Sequence, residues 1–266
     1  MIVSTGIAAP VNGLKELLER RTNTKLDLNV KKALIFGFIG LLVRTLSAAE
    51  SSPQDRIVSA AKQLSAQPDY SWTTTVKEGD GSSAPFPGLS GKAINGGPRC
   101  LISMTGTTSS EVYLNGQKGT AKGPEGWRTF DEIAKPGGFA AALVGYLRSY
   151  KAPSVECEAL SRELQNVKEQ KGILSGDLKG EFAAKEYMEF FIPRYAGQDP
   201  PKITDPKGSV KFWIEKGMIT KYEIDVQCKV TRGDQESEFH RTTTVEIKDV
   251  GTTKLEVPEG AKQKLL

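Results

Sequence analysis

Histidine is almost absent from these 266 residues and cysteine is scarce: one histidine, His240, and three cysteines, Cys100, Cys157 and Cys228. They lack the paired ligand spacings of a zinc site, so no metal is expected. They are also too few and too scattered for a disulfide scaffold, although Cys157 has two candidate partners and the odd count leaves one thiol over. No apolar run approaches the roughly 20 residues needed to cross about 30 Å of hydrocarbon. No glycine-rich turn leads from a strand into a helix and no βαβ rhythm appears, which argues against a nucleotide-binding α/β fold. No cofactor is implied.

Positive charge looks plentiful, with a net +4, but it is unevenly placed. Residues 1–49 hold seven Lys/Arg against three Asp/Glu, and residues 50–266 hold 29 of each sign. The larger part is formally neutral. It lacks the bulk electrostatic attraction that drives phosphate binding, so nucleic acid is not an expected partner.

What is present near the start is a leader. Lys31 and Lys32 precede an eleven-residue apolar run, Ala33 to Val43, and Ser47-Ala48-Ala49 offers small residues for a cut after Ala49. That is the order of a secretory signal: basic region, short apolar region, small-residue cleavage site. Residues 30–49 are therefore expected to be a signal peptide; an uncleaved membrane anchor and a buried helix are the alternatives. Residues 1–29 read as an untranslated or disordered extension, with translation beginning near Val30. Residues 50–266 would then be one domain working in the periplasm or otherwise exported.

Within it, Ile57, Ala60, Ala61 and Leu64 recur at helical spacing over residues 54–66, with Ser52 placed to cap the start. Tyr70, Trp72, Thr74 and Val76 alternate as one face of a strand. Residues 79–88 read as a flexible loop, followed by strands at Leu89–Ile94 and Arg99–Met104 about an Asn95-Gly96 turn. Asn115-Gly116 signals a type I′ hairpin between Glu111–Leu114 and Gln117–Lys122. Helical stripes run through Phe139, Leu143, Tyr146, Leu147 and Tyr150, then through Val155–Val167 after Pro153, and again over Glu181–Phe191. Gly176-Asp177-Leu178 reads as a turn starting a helix, and residues 193–209, with four prolines, as a loop. Met218–Val230 alternates almost without fault: a long antiparallel strand with one dry face. It pairs with Val210–Glu215 across Lys216-Gly217 and with Phe239–Lys248. A last strand at Thr252–Val257 and a short helix from Glu259 complete the chain. The expected fold is α+β: a strongly curved antiparallel sheet, a half-barrel, with helices covering its concave face.

No catalytic constellation emerges. His240 lies opposite the apolar positions Phe239, Val245 and Ile247, so it should face solvent, without the orienting carboxylate and nucleophile a base needs. Asp131-Glu132 and Glu156/Glu158 read as solvated carboxylates. Cys228 falls on a buried face as an inert thiol. The aromatics Tyr70, Trp72, Trp127, Tyr146, Phe212, Trp213 and Tyr222 are either core or the lining of an apolar pocket. Trp213, alternating against Phe212, should point outward.

The segment Gly208-Ser-Val-Lys-Phe-Trp213-Ile-Glu-Lys-Gly217-Met-Ile-Thr-Lys221-Tyr-Glu resembles the strand–turn–strand of the outer-membrane lipoprotein carrier (LolA-like) and mycobacterial lipid-binding lipoprotein superfamily. Residues 52–265 also resemble uncharacterised exported bacterial proteins related to it, through Asp69-Tyr70-Ser71-Trp72-Thr73-Thr74-Thr75, Gly126-Trp127, Gly176-Asp177-Leu178 and Arg241–Pro258. The resemblance implies the half-barrel and a hydrophobic cavity between sheet and helices, near Val76, Trp127, Phe212, Tyr222 and Ile224. The loop at 79–88 and the lack of a counterpart to the carriers' lid-latching arginine are departures, so lipoprotein transport itself is not implied. The expected function is a non-enzymatic exported domain binding a hydrophobic ligand such as acyl lipid. The alternative is a cell-envelope sensor or interaction domain whose partner is an envelope protein.

Overall fold

The computed structural model describes residues 51–79, 88–94, 99–105, 110–189 and 200–266, of which 99–105 and Ser110 by backbone alone. The leader at 30–49, the extension at 1–29, most of the 79–88 loop, the Asn95-Gly96 turn and Phe190–Phe191 lie outside the described residues.

Helix α1 (Pro53–Ser65) begins where Ser52 accepts a hydrogen bond from the Asp55 amide at 3.1 Å, with proline at the first position. Its stripe of Ile57, Ala60, Ala61 and Leu64 is fully buried, as its spacing predicts. Strands β1 (Asp69–Glu78), β2 (Gly88–Ile94), β3 (Arg99–Thr105), β4 (Ser110–Asn115), β5 (Lys118–Gly123) and β6 (Gly126–Thr129) follow as a meander. Then come α2 (Phe130–Ala134), α3 (Gly138–Ser149) and α4 (Pro153–Glu163), β7 (Leu164–Gln170), β8 (Ile173–Leu178) and α5 (Gly180–Tyr187). Strands β9 (Lys202–Glu215), β10 (Met218–Arg232) and β11 (Gln235–Lys248) and helix α6 (Glu259–Leu265) complete the order.

All pairings are antiparallel, in the order β6-β5-β4-β3-β2-β1-β11-β10-β9-β8-β7. The two meanders join where β1 meets β11, Trp72 opposite Ile247 and Val76 opposite Thr243. The half-barrel is overturned. The α+β class holds, but the sheet is open, with β6 and β7 at separate edges, and is neither closed nor strongly curled. Alternation reports which face of a strand is dry; bending depends on bulges and corners that the alternation does not encode.

Other local expectations also change. The helical stripe through Leu164 and Val167 ends at Glu163, and both residues belong to β7, which turns through Lys171-Gly172 into β8. Gly176-Asp177-Leu178 is strand, and the helix starts two residues later. Strand β9 runs through Pro206, which an irregularity in its pairing with β10 accommodates near Asp205, a residue at φ 51°. The β4–β5 turn carries Gly116 and Gln117, and only Gly116 has positive φ, the type II′ pattern and not type I′. The last strand expected at Thr252–Val257 does not form: Gly251 and Thr252 are in a turn and residues 253–258 belong to no strand.

Side chains divide between the two faces. On the inner face one core gathers α1, α3, α4 and α5 over Trp72, Val210, Phe212, Tyr222, Ile224 and Val245. On the outer face of β4–β6, Tyr113 and Trp127 pack with Leu255, Val257, Ala261 and Leu265 as a second, smaller cluster. Close approaches shape the inner one. Trp72 lies over Gly91 and Phe130 over Gly119, where a Cβ would sit 2.2 Å from the ring in each case.

Candidate functional site

The inner face is closed at its centre and less so toward one end. Reading across the register, Val76, Thr243, Ile224 and Val210 form one row, and Glu78, Arg241, Val226 and Gly208 the next. Ile224, Val226 and Val210 are buried, whereas Val76, Glu78 and Thr243 are half-buried, as are nearby Leu89 and Phe239. The apolar stripe of α3 grades the same way. Leu147 and Val144 are buried, Leu143 is half-buried and Phe139, at the helix start, is 73% exposed.

Arg241 sits among these residues with only 5% of its surface exposed. The alternation that turns His240 outward turns Arg241 inward, so the sequence carried the signal and reading the apolar positions alone passed over it. Burial pulls the guanidinium below its ordinary value, while the charges of Tyr146 and Glu78 push it back. Burial likewise raises the Tyr146 hydroxyl to about 12, against the influence of Arg241 and with that of Glu156.

A second polar centre lies where α4, α5 and β10 meet. Glu156 accepts hydrogen bonds from the Tyr187 hydroxyl at 3.1 Å and from the Tyr222 hydroxyl. Desolvation raises its carboxyl, and the two tyrosine hydrogen bonds and Lys151 oppose that shift. Lys151 in turn pairs with Glu186 at 2.5 Å. Both tyrosines are pushed well above the usual phenol range, first by burial and then by the Glu156 charge. Glu156 is therefore tied to the helix packing and is not the solvated carboxylate its position in the first turn of a helix suggests. Nearby, the Tyr70 hydroxyl donates to Ser154 Oγ at 2.9 Å, and the Trp72 indole donates to the Tyr150 hydroxyl at 3.1 Å. These hydrogen bonds fasten α3 and α4 to β1.

The five cavity candidates separate. Phe212, Tyr222 and Ile224 meet in the closed core, the rings of Phe212 and Tyr222 6.3 Å apart. Val76 occupies the half-buried end of the same face. Trp127 packs on the opposite side of the sheet, edge-on to Tyr113 at 5.4 Å. Trp213 is half-buried beneath Lys221, whose ammonium lies 4.8 Å from the ring centre. His240 is exposed, with Nε2 2.9 Å from Asp225. Cys157 and Cys228 are buried free thiols, and burial raises both. Among the described residues, no three His, Cys, Asp or Glu side chains gather as a metal site, and no helix is long and apolar enough to cross a membrane.

No family model matches the chain, and no curated protein matches it. Among solved structures it is similar to LprF from Mycobacterium bovis, at 11% identity and a TM-score of 0.43, over 79% of this chain and 97% of that one. It is similar to the lipoprotein LppX of Mycobacterium tuberculosis at 7% identity and a TM-score of 0.40, over 79% and 100%. A DUF1329 family protein from Desulfovibrio piger follows at 12% identity and a TM-score of 0.32, over 81% and 98%.

Proposed function

We propose that residues 50–266 form a non-enzymatic exported domain that binds a hydrophobic ligand, an acyl lipid, against the inner face of the sheet. The observation that carries this reading is the graded exposure of apolar side chains from the core outward. Val76, Leu89, Leu143 and Phe139 leave apolar surface incompletely covered, the kind of lining that takes a chain of methylenes. The resemblance of Gly208–Glu223 to the lipid-carrier strand pair points the same way. Export rests on the leader at 30–49. Mass spectrometry of the native N-terminus tests that part, with a chain beginning near Glu50 expected and one retaining residues 33–43 indicating an anchor.

Ligand binding is tested by titrating delipidated protein with a fluorescent fatty-acid probe. Saturable binding is expected, and Val76→Asp should weaken it by about tenfold or more because it sets a charge against the chain. A protein that binds no such probe overturns the reading. A second reading, an envelope interaction domain, takes support from Phe139 and Val155, exposed by 73% and 55% on α3 and α4. Affinity capture from envelope extract would recover a stoichiometric partner lost on Phe139→Asp; capture unaffected by that change counts against it.

A further inference from the structure

We propose that Arg241 receives the head of the ligand, and that the ligand is accordingly an amphiphile with one anionic oxyacid group. This rests on the hydrophobic-ligand reading above. Arg241 lies at an inward register position between Val226 and Glu78, with Phe239 and Thr243 as its inward neighbours along β11. It is buried itself, yet Glu78, Thr243, Phe239 and Val76 around it are only half-buried. Arg241 thus sits one register row beyond Val76, with buried Val226 on one side and half-buried Glu78 on the other. That is where an acyl chain lying on Val76 and Leu89 would leave its polar end.

Stability alone gives weak reason for an arginine there. A buried ion is costly to desolvate, and an aliphatic side chain packed between Val226 and Thr243 would serve a purely structural role as well or better. For recognition it is well suited, because its planar fork matches carboxylate and phosphate oxygens in a bidentate way. Five N–H donors let it keep neighbouring protein groups and an incoming oxyanion together. Glu78, half-buried and opposite Arg241 in the β1–β11 register, favours the charged guanidinium and so keeps it ready for an oxyanion. In this low-dielectric setting a head group with negative charge is favoured over a neutral one of the same length.

The test compares cis-parinaric acid with its methyl ester on the full chain. The acid is expected to bind about tenfold more tightly, in line with the strength of a charge-assisted hydrogen bond. Arg241→Met should lower acid binding to the level of the ester, while Arg241→Lys restores part of the preference. Oleate and lysophosphatidic acid as competitors separate a carboxylate from a phosphate head, displacement by either supporting the assignment. Equal binding of acid and ester by the unaltered protein, or a preference that survives Arg241→Met, overturns it. If neither probe binds, the hydrophobic-ligand reading itself falls. Should Arg241→Met fail to fold by circular dichroism, the acid-to-ester comparison on the unaltered chain still decides.

Discussion

Glu156 shows how a single side chain changes meaning between sequence and structure. Its carboxyl is raised by desolvation, so the folded state holds its proton more tightly than the unfolded chain does. The stabilisation this gives is complete below the ordinary carboxyl value of 4.5 and is lost as pH rises through the higher folded value. Glu156→Gln should therefore gain stability relative to the unaltered protein as pH increases from 4 to 8, measured as the difference between their urea midpoints. A constant difference would mean that the carboxyl titrates alike in both states. Gly91 gives a sharper packing test. With a Cβ placed 2.2 Å from the Trp72 ring, Gly91→Ala must displace the indole, at a cost of about 1–3 kcal/mol in denaturant unfolding.

At the scale of elements, the strongest periodicities carry over best. Helix α1 follows its repeat throughout, and strand β10 follows its own from Tyr222 to Val230. At the start of β10 an irregularity between Ile219 and Lys221 breaks the alternation and buries Ile219, which the alternation places on the wet face. The region from Pro153 to Leu178 does not follow its repeat, because Leu164 and Val167 satisfy helical and strand patterns alike, and tertiary pairing with β8 decides between them. Helix α6 is too short to hold itself together, so its order depends on docking against Tyr113 and Trp127. Gly260 approaches Trp127 closely, a Cβ there falling 2.7 Å from the indole. Trp127→Ala should speed amide exchange across residues 259–265 by about tenfold or more and leave β10 and β11 protected. Uniformly faster exchange would instead indicate one cooperative unit. Ser52→Ala removes the α1 cap and should cost about 1 kcal/mol.

Over the whole molecule, the pairing of β1 with β11 unites two meanders through contacts more than 160 residues apart in sequence. Cys157 lies on the buried side of α4 and Cys228 on β10, both in the main inner core. In the native protein both thiols should resist iodoacetamide at neutral pH and become modified at one common rate set by global opening. Mass-spectrometric mapping that finds one labelled long before the other would show that the helix layer opens separately from the sheet.

The sequence by itself determined the neutral charge of residues 50–266, most of the strands and the dry face of the longest one over Tyr222–Val230. These follow from composition and from local periods, which need no knowledge of what lies across the core. Only the tertiary structure decided that the sheet stays open, that Trp127 belongs to the second face, and that Glu156 and Arg241 are partly or wholly withdrawn from water. Each of those depends on which strands meet and at what register, and on helices brought together from distant parts of the chain.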